Sequence, residues 1–144
     1  MRNIKYTLED FQEGIDKLTD NILAVGNPYN RVVGICRGGL FPATMLSYRL
    51  KVPLTTLSWS LRDYNDEKEY VDWIAEDINA GQRILLVDDI IDSGETINSI
   101  IDSWKDVVDD TLDMENLSIA TLMYNTDLDM VPDFWHKTIS RKED

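Results

Sequence analysis

Short apolar runs alternate with amphipathic segments along the chain, and this alternation predicts strands and helices in turn. From Leu8 to Ile22, apolar residues recur three and four positions apart, which predicts a helix over about 8–25, ended by Gly26-Asn27-Pro28. The same reasoning predicts helices over 40–50, from about 70 to a cap at Gly81, and over 94–108. Short, nearly continuous apolar runs predict buried strands at 32–36, 53–59, 83–88 and 117–124.

The order of these elements indicates the fold class. Strands that alternate with helices form right-handed βαβ units, so we expect an α/β fold with three α/β/α layers and a mostly parallel central sheet. Residues 60–69 are polar and aperiodic and are predicted to form a mobile loop, and 125–144 shows a mixed pattern. The length of 144 residues predicts one domain over 1–144.

Composition narrows the class of partners. Apolar residues make up 43% of the chain, which suffices for a core, and the formal net charge is −13. Binding to nucleic acid or to an anionic membrane surface requires basic patches, and none is visible, so the composition argues against both partners. The acidic excess is interpreted mainly as a contribution to solubility.

Cysteine content and the N-terminus bear on the compartment. The single cysteine, Cys36, excludes an intrachain disulfide, and the segment that starts at Met1 has no apolar core of a signal peptide. No apolar run reaches the length of a transmembrane helix. We therefore expect a cytoplasmic protein.

A carboxylate pair stands at the carboxyl end of the strand predicted at 83–88. Asp88 and Asp89 are adjacent, and two carboxylates side by side in a partly buried site repel by about 4 kcal/mol at an effective dielectric near 20. A divalent cation, a neighbouring base or donors such as ribose hydroxyls would offset this repulsion, and oxygen ligands beside a phosphorylated substrate favour Mg²⁺. Alternatively, one carboxylate caps a helix and the other is solvated.

The next segment, Asp92-Ser93-Gly94-Glu95-Thr96, has the features of an anion-binding loop. Gly94 allows the backbone to approach a ligand, Ser93 and Thr96 supply hydroxyls, and loop amides at a helix start suit a phosphate. The alternative is an ordinary helix cap formed by Ser93 or Asp92.

A second loop, Cys36-Arg37-Gly38-Gly39, follows the first predicted strand. Two glycines free the backbone for an unusual turn, and the guanidinium of Arg37 suits phosphate oxygens. The alternative is a simple connector with a surface arginine. Ligands of open α/β sheets bind beyond the carboxyl ends of the strands, so both loops would face one site.

Together these segments resemble a known family. The run Val87-Asp88-Asp89-Ile90-Ile91-Asp92-Ser93-Gly94-Glu95-Thr96 is similar to the signature by which type I phosphoribosyltransferases bind 5-phosphoribosyl 1-diphosphate (PRPP). Cys36-Arg37-Gly38-Gly39 stands where that family has its diphosphate loop. The resemblance covers roughly 30–135 and is nearest to small bacterial xanthine-guanine and hypoxanthine enzymes.

The resemblance implies roles for these residues. Asp88 and Asp89 would hold the ribose hydroxyls with Mg²⁺ nearby, and the loop from Asp92 to Thr96 would bind the 5′-phosphate. Arg37 and the amides around Gly38 would bind diphosphate, in the family often next to a non-proline cis peptide. Asp92 would accept a proton from the base, and 60–69 would close over the reaction. A homodimer or homotetramer is also implied.

Two departures from the family concern the acceptor base. Asn125 stands where the 6-oxopurine enzymes usually have a lysine, and as an alternative it is a turn residue at a strand end. The tail around Phe134 and Trp135 resembles the start of the family's C-terminal hood, without the stacking residues that follow there, so a small or truncated hood is expected. Phe134 or Trp135 would take over stacking, a partner subunit would complete the pocket, or Trp135 would serve in packing.

Three functions compete on these grounds. The first is Mg²⁺-dependent transfer of a phosphoribosyl group from PRPP to a nucleobase, with a 6-oxopurine expected. The second is a regulatory protein of the same fold that binds PRPP or a nucleotide without turnover. The third is a receiver-type signalling domain, because a strand like Ile84-Leu85-Leu86-Val87-Asp88-Asp89 also occurs in receivers. In receivers, however, that strand is the first of the domain.

Overall fold

The computed structural model describes residues 5–61 and 68–142. Its helices are α1 (Leu8–Val25), α2 (Leu40–Leu50), α3 (Asp72–Asn79) and α4 (Glu95–Val107), and a 3-10 turn covers Met114–Asn116. Its strands are β1 (Arg31–Cys36), β2 (Leu54–Ser58), β3 (Ile84–Ile91), β4 (Leu117–Asn125) and β5 (Phe134–Ile139).

The described strands form one parallel sheet in the order β2-β1-β3-β4-β5. The chain moves outward from β1 to β2 and then crosses back to β3 on the other side of β1. The connection from β1 to β2 and the connection from β3 to β4 therefore run in opposite directions along the sheet. This divergence opens a crevice between the carboxyl ends of β1 and β3. Such a switch point is where open α/β sheets bind their ligands.

Both faces of the sheet are covered, which completes the three-layer α/β/α fold predicted from the sequence. One core cluster joins α1 and α2 to the sheet and includes Leu18, Leu46 and Leu85. The other joins α3 and α4 to the opposite face and includes Ile78, Leu86 and Trp104. Burial on both faces explains why the central strands are continuously apolar rather than alternating.

Local signals set the ends of α1. The side chain of Thr7 accepts a hydrogen bond from the amide of Asp10 at 3.0 Å, and the Asp10 carboxylate accepts one from the amide of Thr7 at 2.9 Å, which forms a capping box. At the other end, Gly26 adopts a left-handed conformation with φ 76° and ends the helix. The predicted bounds of α1 and α2 agree with the structure.

Two strands differ from the prediction. β3 continues past 88 to Ile91, because β4 stays paired with it as far as Tyr124, whereas its pairing with β1 ends at Val87. β5 was not predicted, because it is an edge strand in which exposed Lys137 and Thr138 interrupt the apolar pattern. The carboxylate pair thus lies within β3, beyond the point where its pairing with β1 ends, rather than at the end of the strand.

Most of the loop predicted at 60–69 lies outside the described residues, which resume at Lys68. The helix expected from about 70 begins at Asp72 and ends beside Gly81, whose φ of 100° suits a glycine. Within the described ranges, every helix is too short or too polar to cross a bilayer.

Candidate active site

The crevice between β1 and β3 contains a cavity of about 380 Å³ at the carboxyl edge of the sheet. The loop after β1 contributes Arg37 and Gly38, and β3 contributes Asp88. Ser93 and Thr96 enter from the start of α4. The structure therefore brings the two loops singled out in the sequence to one site.

The loop after β1 packs tightly against both neighbouring strands. The amide of Gly39 donates to the carbonyl of Ile35 at 2.7 Å, and the peptide bond between Cys36 and Arg37 is cis, as the family resemblance implied. A Cβ at Gly39 would overlap the carbonyl oxygen of Val87 and lie 2.8 Å from that of Ile35. Only glycine fits here without separating β1 from β3.

The two carboxylates of β3 take up different positions. Because successive strand residues point to opposite faces, Asp88 faces the cavity beside Thr96, whereas Asp89 lies beneath the loop, where a Cβ at Gly38 would overlap its carboxylate. The Asp88 carboxylate accepts the amide of Asp89 at 2.9 Å, and the Asp89 carboxylate accepts that of Ile90 at 2.8 Å. Asp89 thus lies against the loop after β1, and Asp88 is the carboxylate that faces the cavity.

Burial makes Asp88 an unusual acid. Desolvation first, and then the neighbouring charge of Asp89, raise the pKa of Asp88 to about 8. In the ligand-free protein at neutral pH, the pair therefore holds a proton. A cation or a set of donors that replaces this proton would relieve the repulsion between the two carboxylates.

The loop before α4 forms a small cradle. Gly94, with φ 80°, occupies the cap position of the helix, and no side chain caps it. The hydroxyl of Ser93 accepts the amide of Glu95 at 3.2 Å, so neither Ser93 nor Asp92 acts as the ordinary cap considered from the sequence. The loop lines a cavity of about 130 Å³ with Asp88, which suits an anion at a helix N-terminus.

Asp92 lies at the end of this loop and is held by two side chains. Nε and Nη2 of Arg141 donate to its two carboxylate oxygens at 2.8 and 2.5 Å. Nδ2 of Asn125 donates to the Asp92 carbonyl at 3.2 Å and to its carboxylate at 3.4 Å. The hydrogen bonds from Arg141 lower the pKa of Asp92, so this carboxylate is ionised at neutral pH.

The proposed base contacts differ from their sequence interpretation. Asn125 is buried, its amide group donates to Asp92, and its oxygen accepts the amide of Asp127 at 2.9 Å, so it supports Asp92 instead of facing a ligand. Phe134 is buried in the core. It pairs with Ala120 on β4, and five residues of strand, about 16 Å, separate that position from the carboxyl end of β4.

Trp135 is also part of the packing. Its ring meets that of Tyr124 edge to face at 5.3 Å between centroids, and it packs against the core cluster on the α3–α4 face. β5 places Phe134 and Trp135 along the sheet rather than at its carboxyl edge. Neither side chain is therefore positioned to stack on a base, and packing is the role that the structure shows for Trp135.

Three further residues at this edge were not identified as site residues from the sequence. Arg141 and Asp127 lie in the tail, whose regular structure was missed, so no pattern connected them to Asp92. Trp59 ends the strand predicted at 53–59 and is buried, yet it also lines the 380 Å³ cavity and donates from Nε1 to Ser99 at 3.1 Å. Its position at the end of a predicted strand was the available signal.

The donor set was tested for the Mg²⁺ that the family resemblance implies. Among the described residues, no group of three or more His, Cys, Asp and Glu side chains could hold a metal ion. Asp88 and Asp89 nevertheless provide hard oxygen donors, and Mg²⁺ is typically bound through one or two carboxylates together with substrate phosphates and water. The residues fit a cation that the substrate helps to hold.

Comparison with known proteins agrees with this geometry. A family model described as the phosphoribosyl transferase domain matches residues 7–144. The chain is 36% identical over 77 residues to a xanthine-guanine phosphoribosyltransferase of Cereibacter sphaeroides, covering 50% of this chain and 46% of that protein. It is 26% identical over 102 residues to an orotate phosphoribosyltransferase of Sulfurisphaera tokodaii, covering 71% of this chain and 49% of that protein.

The chain thus spans about half the length of these curated relatives. Among solved structures, a purine phosphoribosyltransferase from Pyrococcus horikoshii superposes with a TM-score of 0.68 at 22% identity. The match covers 93% of this chain and 85% of that structure. At this identity the likeness establishes the fold.

Proposed function

This chain belongs to the phosphoribosyl transferase domain family, and from that membership we propose that it transfers a phosphoribosyl group from PRPP to a purine base and releases diphosphate. The observation that carries the proposal is the single cavity between β1 and β3. An arginine-glycine loop, a buried carboxylate and a helix N-terminus all face it, and these are the groups that a sugar with two phosphorylated ends requires.

Each end of PRPP has a matching part of the site. The loop at Arg37–Gly39 would take the diphosphate through the guanidinium and backbone amides. The cradle at Ser93–Thr96 would take the 5′-phosphate at the start of α4. Asp88 lines both cavities, which places its carboxyl group where the ribose hydroxyls would lie.

We further propose that Mg²⁺ accompanies PRPP. A protein with net charge −13 attracts a polyanion poorly by itself, and among the described residues that line the 380 Å³ cavity only Arg37 is cationic. Asp88 and Asp89 would hold the ion jointly with the substrate, and the ion would supply charge neutralisation at the diphosphate. The proton that the ligand-free pair holds would leave when the ion binds.

The reaction exchanges one bond for another at the anomeric carbon. The bond to the diphosphate oxygen breaks and its electron pair leaves with diphosphate, while a ring nitrogen of the base donates its lone pair to form the new bond. The proton of the base is then shared with the ionised Asp92. The protein contributes positioning, donors for the leaving group and exclusion of water.

A purine is proposed as the acceptor because the relative with 36% identity is named a xanthine-guanine enzyme and the superposed structure is named a purine enzyme. A 6-oxopurine is the more specific proposal. The match to an orotate enzyme makes a pyrimidine the alternative acceptor to include in the assay.

The decisive experiment incubates the protein with PRPP and Mg²⁺ and each of guanine, xanthine, hypoxanthine, adenine and orotate, and measures nucleotide and diphosphate. We expect equal amounts of both products with at least one 6-oxopurine and none when Mg²⁺ is chelated. A matched control is Asp102→Asn on the exposed face of α4, which should leave the rate unchanged.

A second candidate, a sensor that binds PRPP without turnover, is favoured by one observation. The Asp92 carboxylate is already paired with Arg141 and Asn125, so an acceptor base would have to compete for it. Measurable PRPP binding by calorimetry, with no product from any of the five bases, would overturn the enzyme and support the sensor.

A further inference from the structure

The chain beyond β5 is folded back toward Asp92 by a turn at the end of β4. The amide of Thr126 donates to the carbonyl of Ile139 at 2.9 Å, which sets the exit of β5 beside this turn. The carboxylate of Asp127 then accepts the hydroxyl of Ser140 at 2.8 Å and the amides of Arg141 and Lys142 at 2.9 and 3.2 Å. One carboxylate thus fixes three consecutive residues.

This arrangement places the guanidinium of Arg141 against the carboxylate of Asp92, which is 49 residues away in the sequence. Two guanidinium nitrogens meet the two carboxylate oxygens, a fork-to-fork geometry that sets the plane of the carboxylate as well as its charge. Asn125 holds the carbonyl of the same residue from β4. Asp92 is therefore restrained both by the last residue of β4 and by the segment after β5.

The charged groups near Asp92 come from each element packed around it. Arg141 is the cation, Asp127 lies in the turn after β4, and Asp88 on β3 lines the small cavity that Asp92 also lines. Glu95 begins α4. Arg141 is the cation among these groups, and its hydrogen bonds stabilise the negative charge of Asp92 and lower its pKa.

We propose that Arg141 is a positioning residue of the transfer reaction, which orients the Asp92 carboxylate and stabilises its charge, and that Asp127 holds Arg141 in place. The inference deepens the proposed function and rests on it. An ionised, oriented carboxylate accepts a hydrogen bond from the N–H of an entering base, whereas a protonated or rotated one does not. Arg141 therefore acts through Asp92.

The first test compares Arg141→Gln, Arg141→Lys and the control Lys142→Gln. In Arg141→Gln, kcat should fall about 10- to 100-fold, because a charge-assisted pair is lost, while the Kd of PRPP changes less than about threefold. The acidic limb of the kcat/KM profile should move to higher pH, because the hydrogen bonds that lower the pKa of Asp92 are lost. A purely structural role would lower kcat without moving that limb.

Arg141→Lys separates charge from geometry. A lysine retains the cation but presents a point charge instead of a fork, so the acidic limb should stay near that of the wild type while kcat recovers only in part. Lys142→Gln keeps the backbone amide that Asp127 binds and changes an exposed side chain, so its profile should match the wild type. A limb that stays in place in Arg141→Gln overturns the proposal.

A second measurement does not depend on turnover. Carbon NMR of protein labelled at aspartate carboxyl groups, with Asp92→Asn to assign the signal, gives the pKa of Asp92 directly. That pKa should rise in Arg141→Gln and, by a smaller amount, in Asp127→Asn. An unchanged pKa overturns the inference, whereas a wild type that shows this linkage but makes no product with any base overturns only the proposed function.

Discussion

The two halves of the candidate site are built in different ways. The half that would bind the phosphoribosyl donor consists of two short loops, and its contacts come largely from glycines, backbone amides and the buried Asp88. The half around Asp92 consists of side chains, because Asn125, Asp127 and Arg141 reach it from separate elements. Each loop of the first half is contiguous in sequence, whereas the second half forms only when the segments after β3, β4 and β5 meet.

This difference suggests how the two halves respond to change. Glycines in tight contact with strands tolerate no added atom, so the donor half should fail abruptly. The hydrogen bonds around Asp92 come from separate side chains that can be removed one at a time, so that half should weaken in steps. The predictions below test this contrast, from the largest expected effect to the smallest.

Gly39→Ala should have the largest effect, because its Cβ would overlap the Val87 carbonyl and force β1 away from β3. We expect the free energy of unfolding to fall by about 2–4 kcal/mol and PRPP binding to be lost. Urea unfolding and calorimetry measure the two effects.

Gly38→Ala is the matched comparison, since its Cβ meets the movable carboxylate of Asp89. It should lose binding with a smaller loss of stability; equal stability in both variants would contradict the packing described here.

Asp88→Asn should reduce turnover by about 100-fold, because it replaces the carboxylate that faces the cavity with a neutral amide of the same size. The ligand-free variant should be at least as stable as the wild type, since a buried acid with a raised pKa is replaced by a neutral amide. Steady-state kinetics and thermal unfolding check both statements. Retention of full turnover would exclude Asp88 from the ribose and metal role.

Asp88 should also give the ligand-free protein a characteristic pH dependence. Its pKa is about 8 in the folded protein and near 3.8 in the unfolded chain, so the folded state binds more protons between these values. Stability should therefore fall as pH rises from about 4 to about 8, with a contribution of up to about 1.4 kcal/mol per pH unit. Urea unfolding at pH 5 and pH 8 in metal-free buffer should show this decline in wild type and in Asp102→Asn, and a weaker one in Asp88→Asn.

Asn125→Ala should have an intermediate effect confined to the half around Asp92. It removes the amide that holds the Asp92 carbonyl and the oxygen that accepts the Asp127 amide, which should cost about 1–3 kcal/mol of stability. Turnover should fall about tenfold while PRPP affinity is retained. Asn98→Ala on the exposed face of α4 is the control. A loss of PRPP affinity equal to the loss of turnover would show that the two halves are not separable.

Glu95→Gln should have the smallest effect. Glu95 is exposed and lines the cavity near the proposed 5′-phosphate cradle, so removing its charge lessens repulsion of the donor. We expect PRPP to bind roughly twofold to fivefold more tightly, as for other exposed charge interactions, and the gain to shrink at high salt. Weaker binding would indicate that this carboxylate contacts the ligand or its cation.

Much of the fold and half of the candidate site could be predicted from the sequence, for physical reasons. α1 was predictable because its capping residues and apolar spacing are local, and the buried strands were predictable because helices cover both faces of the sheet. The loop at Arg37–Gly39 and the cradle at Ser93–Thr96 were predictable because they are contiguous motifs that follow strands. β5 was missed because an edge strand carries polar residues that weaken its pattern.

Tertiary structure alone decided the rest. The sequence determined that Asp88 and Asp89 adjoin a strand, but only the ending of the β1 pairing at Val87 decided that one carboxylate faces the cavity and the other lies under Gly38. The sequence likewise contains Arg141 and Asp92 without relating them. Their pairing depends on the parallel ends of β3, β4 and β5 meeting at one edge, which is a long-range contact that no local pattern encodes.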